Sequence, residues 1–539
     1  MKQIKELYFN HKSRLILNCI ELWNSEFDNN DTLLLTALVN NLKNIAHNLT
    51  GASIKSKKSK FQNLKNKLEL LRKNSPDNNL EINEIVDQIN VIKNLENEDI
   101  YFHKQKNHNS DPKLLSATLN NVCSTPLSVI KDEDGLDFDN ESARSKYITN
   151  YFSKLYSKPT LSKLEIEEFL KDVDCPKLSQ ENIELLEKDF TMAELSNVIE
   201  NLNSNCSPGI DNVSNNFLKA IFPLIKNFML KAYNQMKNGT NKATVEMKSS
   251  YVKLIPKSTN LSNIKNWRPI CISPCTYKIF CKLNSNRLKN ILPSIIGSSQ
   301  KAYLPNRSIS DSSLNTMINL AISKLRNFPM FTVAIDFFKA FDSLSFEFIV
   351  KTLIKFGFPM NFVKLIHEWL SDRYAAIKIN SNLTDFLKIL VGTPQGDPLS
   401  GYIFLLCIEI LLIKLRSINE LRCDLEISES NRISLAEIFA DDINLFVPAN
   451  KTSLKVIVST LKEFQNLSGL KMNANKTVVL LTGTNLEQQY LDMINSFNFK
   501  HVTSFKHLGI DIDCDLHNLD VNWNLKIKKI ENLKTNSSF

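Results

Sequence analysis

Glycine is the scarce residue of this chain. Twelve glycines stand among 539 residues, where an ordinary globular protein carries about 7%. A backbone so poor in glycine keeps one mainly where a turn or a close approach needs it. Five of the twelve, Gly209, Gly392, Gly396, Gly469 and Gly509, fall inside the motifs read below. Cysteine is not arranged for zinc: the ten are scattered without a CxxC pair, and the tightest group, Cys271, Cys275 and Cys281, has no His at ligand spacing. Such usage fits a reduced, intracellular compartment. No apolar signal core follows Met1-Lys2-Gln3-Ile4-Lys5. The most apolar run, Tyr402 to Leu415, is broken by Glu409 and Lys414 and is too short to span a bilayer. It is expected to be a buried helix, and no membrane partner is expected.

What is present is length and a modest positive charge. A chain of 539 residues can bury a large core and hold two to four structural units. The formal charge of +9 suits a nucleic-acid binder, but the chain is rich in Asn, Lys and Ile, and an AT-rich coding sequence produces the same balance. Residues 1 to about 110 have a helical pattern, with Leu38, Leu42 and Ile45 and then Leu64, Leu68 and Leu71 at three- and four-residue spacing. Between Lys55 and Lys73, basic residues face the single acid Glu69. Such a stretch either rides on RNA phosphates or is a solvated helix face.

Chemistry concentrates at three carboxylates. Phe439-Ala440-Asp441-Asp442 sits inside an apolar, β-prone run from Ile433 to Val447, which reads as a hairpin with two adjacent carboxylates at its tip. Adjacent carboxylates repel, and a divalent cation is the usual reason to place them together. Upstream, Val333-Ala334-Ile335-Asp336 is an apolar strand ending in an Asp, followed by a turn into a helix through Phe337-Phe338-Lys339-Ala340-Phe341-Asp342. Three carboxylates converging on two Mg²⁺ ions about 3.5–4 Å apart would suit in-line attack of a hydroxyl on a phosphate.

Around them lie loops with the residues such a reaction uses. Tyr251 to Lys257 reads as a strand, followed by a polar loop and Asn266-Trp267-Arg268-Pro269-Ile270. Lys257 and Arg268 could thereby face a triphosphate, since Arg forks onto phosphate oxygens. Gln300 to Ser308 is a Pro-punctuated loop whose Lys301 and Arg307 are suited to a template backbone. Gly392-Thr393-Pro394-Gln395-Gly396-Asp397-Pro398-Leu399-Ser400 is a loop of fixed geometry offering the Gln395 amide. Ser468 to Thr477 is a turn carrying Lys476, a candidate acid for a departing pyrophosphate. His507-Leu508-Gly509-Ile510 closes the series as a short strand pair.

With these blocks in this order, residues 1 to about 512 resemble the reverse transcriptase of LINE-type (non-LTR) retrotransposons, a fragment of the ORF2-like polyprotein. The resemblance implies an α+β, right-hand polymerase with fingers, an antiparallel palm sheet and a partial thumb, behind a helical N-terminal extension. Its expected limits are a basic helical extension over 1–110, further extension and the start of the fingers over 111–235, catalytic fingers and palm over 236–512, and a partial thumb or tail over 513–539. It further implies an RNA template, a DNA primer or target DNA, dNTPs, two Mg²⁺ ions (or Mn²⁺) and work in the nucleus, with a cytoplasmic ribonucleoprotein stage. Carried over by position, Asp336 and Asp441 would be the principal metal ligands. Asp442 would support metal and primer end, and the Phe337 backbone would touch metal and triphosphate. Phe341 would sit under the sugar and exclude a 2′-hydroxyl. Lys257 and Arg268 would hold the triphosphate, Gln395 the nucleotide's 3′ side, and Lys476 would be the general acid.

Some positions depart from the family pattern. Asn212 stands where a second Gly is usual after Ser207-Pro208-Gly209, and Gly401 where Pro is usual after Leu399-Ser400. The family's endonuclease and its Cys/His knuckle have no counterpart here, so a truncated copy is expected. A group II intron-type maturase shares the palm but would need a splicing domain after the thumb. A catalytically inactive relic that only binds RNA is the reading from another class.

Overall fold

In a computed structural model of the chain, residues 127–157, 163–257, 260–380, 382–423 and 433–517 are described, with a few positions outside these spans. The basic stretch from Lys55 to Lys73 and most of residues 1–110 and 513–539 lie outside the described residues. The chain divides into two compact units. The larger comprises Met1–Leu35, Asp139–Ile255 and Trp267–Phe539; the smaller comprises Thr36–Phe138 and Pro256–Asn266.

The strands, in chain order, are β1 (Ser250–Pro256), β2 (Trp267–Ile272), β3 (Met330–Ile335), β4 (Arg373–Ile379), β5 (Asn382–Ile389), β6 (Ala436–Phe439), β7 (Asp442–Pro448), β8 (Val478–Thr482), β9 (Lys500–His501), β10 (Ser504–His507) and β11 (Ile510–Asp513). One sheet has the order β2-β1-β4-β5, a second β6-β7-β3-β8-β9, and β10 pairs with β11 in a two-stranded third. In the five-stranded sheet β3 is central, antiparallel to β7 on one side and to β8 on the other. Met330-Phe331-Thr332-Val333 is buried residue after residue. That fits a strand covered on both faces, which reads as a continuous rather than alternating apolar run. Only the edge strand β9 runs parallel to its neighbour, so the antiparallel expectation holds through the centre of the sheet. The four-stranded sheet mixes a parallel pair, β1 with β4, and an antiparallel one, β4 with β5.

Helices cover these sheets. Those that bear on the site are α1 (Glu141–Leu155), α2 (Met192–Glu200), α3 (Asn215–Lys237), α4 (Cys275–Ile291), α5 (Ile309–Leu325), α6 (Phe346–Lys355), α7 (Ser400–Arg416) and α8 (Lys451–Ser468). α5 lies against β6 and β8, and α7 packs on α6 and α8. As its composition demands, α7 is buried nearly all round, from Ile403 through Leu412. Phe152 of α1 and Tyr156, which caps it, turn into the core. Among the described residues no helix is long and apolar enough to cross a membrane, and eight cysteines are free.

Two motif positions show why the sequence needs them. Gly209 has no room for a side chain, because an added Cβ would stand 2.6 Å from the Pro274 backbone. Asn212 takes the left-handed conformation with φ +54°, so it serves where glycine is usual. Thr191 and Glu194 form a capping box at the start of α2.

Glu194 has a second task. Its carboxylate receives the Arg287 guanidinium of α4 at 2.9 and 3.1 Å, while Arg287 also donates to the carbonyls of Leu185, Lys188 and Asp189. The cation lies 4.7 Å from the Phe190 ring centroid. A buried charge satisfied on every side holds helices together, whereas removing one partner typically costs about 3–5 kcal/mol.

Candidate active site

The C-terminal end of β3 and the N-terminal end of β7 meet at one edge of the five-stranded sheet. The last ladder pair is Ile335 with Ile443, so Asp336 follows at the level of Asp442 and Phe337 at the level of Asp441. β6 and β7 close as a hairpin in which Phe439 pairs with Asp442, leaving Ala440 and Asp441 as the turn. Ala440 has φ +58°, the value a two-residue hairpin demands of its first turn residue and usually assigns to glycine.

The strained tip is held from behind. Gln300 is 1% exposed, and its side-chain oxygen accepts the amides of both Ala302 and Ala440 at 3.0 Å. Its backbone runs along β6, where Ile438 donates to Ser299 O at 3.0 Å and accepts from the Lys301 amide at 2.8 Å.

Asp336 is oriented by the turn before β8. Its carbonyl accepts the Asn473 amide at 2.7 Å, its Oδ2 accepts Asn473 Nδ2 at 3.1 Å, and Lys476 Nζ stands 3.9 Å from the same Oδ2. Phe337 forms an antiparallel bridge with Met472, in which the hydrogen bonds belong to the flanking residues: Phe338 N to Lys471 O and Asn473 N to Asp336 O. In such a pair the backbone groups of the bridging residue turn the other way, so the Phe337 carbonyl points toward the hairpin tip. Among the described residues no three His, Cys, Asp or Glu side chains already stand as a metal cage. Asp336 leans on Lys476 and Asn473. The available donors are nevertheless all hard oxygens, a set that suits Mg²⁺ or Mn²⁺ rather than zinc.

Beside this edge lies a pocket of about 520 Å³, lined by Lys282, Tyr303, Phe341, Gln395, Gly396 and Gly401, among others. Its floor is the loop before α7. Gly392, at φ +81°, presses on the Asp342 backbone, where an added Cβ would come within 2.7 Å. Thr393 N donates to Phe341 O at 2.7 Å, Gln395 Nε2 donates to Asp342 Oδ2 at 2.9 Å, and Gln395 O accepts the Cys271 amide of β2 at 2.8 Å. Phe341 stacks on Phe404 of α7 with ring centroids 4.4 Å apart. Below the loop, burial pushes the Asp397 carboxyl up, against the Leu399 amide and the Trp369 indole that favour its charged form.

Two strands ending in carboxylates beside a nucleotide-sized pocket narrow the field, and relatives decide it. Residues 255–512 match the family model for reverse transcriptase (RNA-dependent DNA polymerase). The Transposon TX1 uncharacterized 149 kDa protein of Xenopus laevis is 27% identical over 352 residues, 65% of this chain and 26% of that protein. The Retrovirus-related Pol polyprotein from type-1 retrotransposable element R2 of Popillia japonica is 30% identical over 228 residues, covering 42% and 31% of the two chains. Residues 255–512 therefore match a reverse transcriptase domain, similar to those of non-LTR retrotransposon proteins. It spans about a quarter to a third of the length of these curated relatives. A solved structure, apo telomerase from Candida tropicalis truncated from its C-terminal domain, is similar at 15% identity and a TM-score of 0.35, covering 50% of this chain and 54% of that one.

In this reverse transcriptase domain Asp336, Phe337, Asp441, Asp442 and Lys476 meet at one sheet edge, while Phe341 and Gln395 face one pocket. Arg268 lies on the exposed face of β2, between the buried Trp267 and Pro269. Lys257 falls in the smaller unit, where it is exposed and its amide donates to Asn266 O at 2.7 Å. Arg307 is not available for a template: its guanidinium is spent on the carbonyls of Ile296, Gly297 and Gln300 at 2.6–3.0 Å. Sequence reasoning missed Gln300 and Tyr303 as site residues, having read their loop for its basic residues alone.

Proposed function

We propose that the chain is an RNA-directed DNA polymerase that extends a DNA primer on an RNA template with dNTPs, as the polymerase segment of a non-LTR retrotransposon protein. The observation that carries this reading is the meeting of Asp336 with Asp441-Asp442 at the ends of neighbouring strands. Asp336, Asp441 and the Phe337 carbonyl would hold two Mg²⁺ ions, with Asp442 supporting them. Such ions supply charge neutralisation at the transferring phosphate and activation of the primer hydroxyl. The chain's own residues then divide the remaining work. Arg268 binds the triphosphate, and Gln395 sets the nucleotide's 3′ side while bonded to Asp342. Phe341, backed by Phe404, lies under the sugar and leaves no room for a 2′-hydroxyl. Lys476, half-exposed beside Asp336, delivers a proton to the departing pyrophosphate. The working place would be the nucleus, where target DNA lies. A test compares one DNA primer annealed to RNA and to DNA templates of the same sequence, with Mg²⁺ and dNTPs. Extension on the RNA template supports the reading, and extension confined to the DNA template refutes it.

A further inference from the structure

We propose that Tyr303 forms a wall of the nucleotide site, its ring taking a nucleobase face to face in space that Gly401 leaves open. The inference rests on the polymerase reading above and assigns a specificity-determining residue to it.

The first observation is backbone strain. Tyr303 has φ +60°, and the Leu304 amide donates to Ala302 O at 2.8 Å across it. This is a three-residue γ-turn with a bulky aromatic at its centre, a conformation that persists only when the surroundings enforce it. Here Gln300 enforces it: the same side-chain oxygen accepts the amide of Ala302, which begins the turn, and of Ala440, which begins the Asp-Asp tip. One buried amide therefore sets the position of Tyr303 relative to Asp441.

The second observation is where the strain sends the ring. It lies across the start of α7, so close to Gly401 that an added Cβ would stand 3.1 Å from Tyr303 Cγ and Cδ2. Even so, Tyr303 stays 51% exposed and lines the pocket it shares with Phe341 and Gln395. An aromatic packed merely to cover α7 would lie down on it and bury its open face. The phenol is uncharged at neutral pH, so the exposed ring offers a π surface. Every base has such a face, and base–aromatic stacking tolerates any sequence. A polymerase that copies all four bases needs that tolerance.

The base could belong to the incoming nucleotide or to the template, and the test separates them. KM for dNTP, kcat and Kd for an RNA–DNA primer–template are measured on the full chain for wild type, Tyr303→Ala, Tyr303→Phe and Gly401→Ala, with circular dichroism to confirm folding. Tyr303→Ala is expected to raise KM or Kd about tenfold or more, and Tyr303→Phe to recover most of that loss. Gly401→Ala, with the tyrosine intact but displaced, is expected to fall in the same direction, and adding it to Tyr303→Ala to cost little more. A rise in KM alone assigns the ring to the incoming base, and a rise in Kd alone to the templating base. Wild-type KM and Kd in folded Tyr303→Ala overturn the inference. If wild type extends no primer, the polymerase reading fails separately, and an unchanged Kd in Tyr303→Ala then overturns this inference too.

Discussion

The side-chain oxygen of Gln300 accepts the Ala440 amide at 3.0 Å, joining residues 140 apart in sequence. The bond sits directly behind the turn that carries Asp441, and the same oxygen takes the Ala302 amide. Gln300 is therefore a positioning residue for the carboxylate tip. Gln300→Leu keeps the volume but leaves two buried amides without an acceptor, at a cost of about 1–3 kcal/mol for each. Equilibrium unfolding in urea should show that loss, and single-turnover extension should show a lower kcat with primer–template affinity kept. Full kcat in the folded variant contradicts the positioning role.

Phe341 stacks on Phe404 at 4.4 Å and faces the pocket, the placement a sugar gate needs. Phe341→Val opens space for a 2′-hydroxyl, so the ratio of rNTP to dNTP incorporation should rise by an order of magnitude or more. Competition assays with matched rNTP and dNTP measure it. Unchanged sugar discrimination removes Phe341 from that role.

Lys476 Nζ lies 3.9 Å from Asp336 Oδ2. If it is the general acid, Lys476→Ala slows the chemical step about 10²-fold or more and leaves dNTP affinity near wild type. Rapid-quench kinetics separate the two. A defect in affinity alone would reassign Lys476 to holding phosphate or to orienting Asp336.

Glu437 stands on β6 opposite Asn444, behind the carboxylate tip. Burial pushes its carboxyl up to about 7, although Lys301 and a 3.2 Å bond from Asn315 favour the charged form. Its ordinary value is 4.5, so between pH 4.5 and 7 the folded chain keeps a proton that the unfolded chain has released. Stability from this group therefore falls as pH rises through that window. Buried His507, lowered to about 4 by loss of hydration, works in the opposite sense, gaining stability as pH rises from 4 toward 6.5. Glu437→Gln should remove the first slope alone and stabilise the chain by about 2 kcal/mol above pH 7, with little change near pH 4. Thermal melts across pH 4.5–8 check this, and a pH profile parallel to wild type contradicts it.

The carboxylates were legible in the sequence because each depends on a few neighbouring residues. An apolar strand ending at Asp336 and a hairpin tipped by Asp441-Asp442 write their own local geometry, and a third contact, β3 against β7, aligns them. The loop from Gly392 was legible for the same reason, since scarce glycine marks where backbone touches backbone. Gln300, Tyr303 and His507 were not. Gln300 acts through Ala440, Tyr303 through Gly401, and His507 through Ser312 and Asn444 at 3.2 and 3.1 Å. All of these partners are remote in the chain. Arg307 was misread for a related reason: a basic residue in a polar loop looks ready for phosphate until its carbonyl partners are seen. The φ +60° of Tyr303 leaves no trace in sequence, because the residue that usually signals it is glycine.

The most direct measurement is incorporation of dTTP onto oligo(dT) annealed to poly(rA) by the purified chain with Mg²⁺, beside Asp441→Asn. The expected result is extension by wild type and none by Asp441→Asn, with RNA binding equal in the two. Equal extension by both, or RNA binding without extension by either, contradicts a catalytic centre at Asp336 and Asp441.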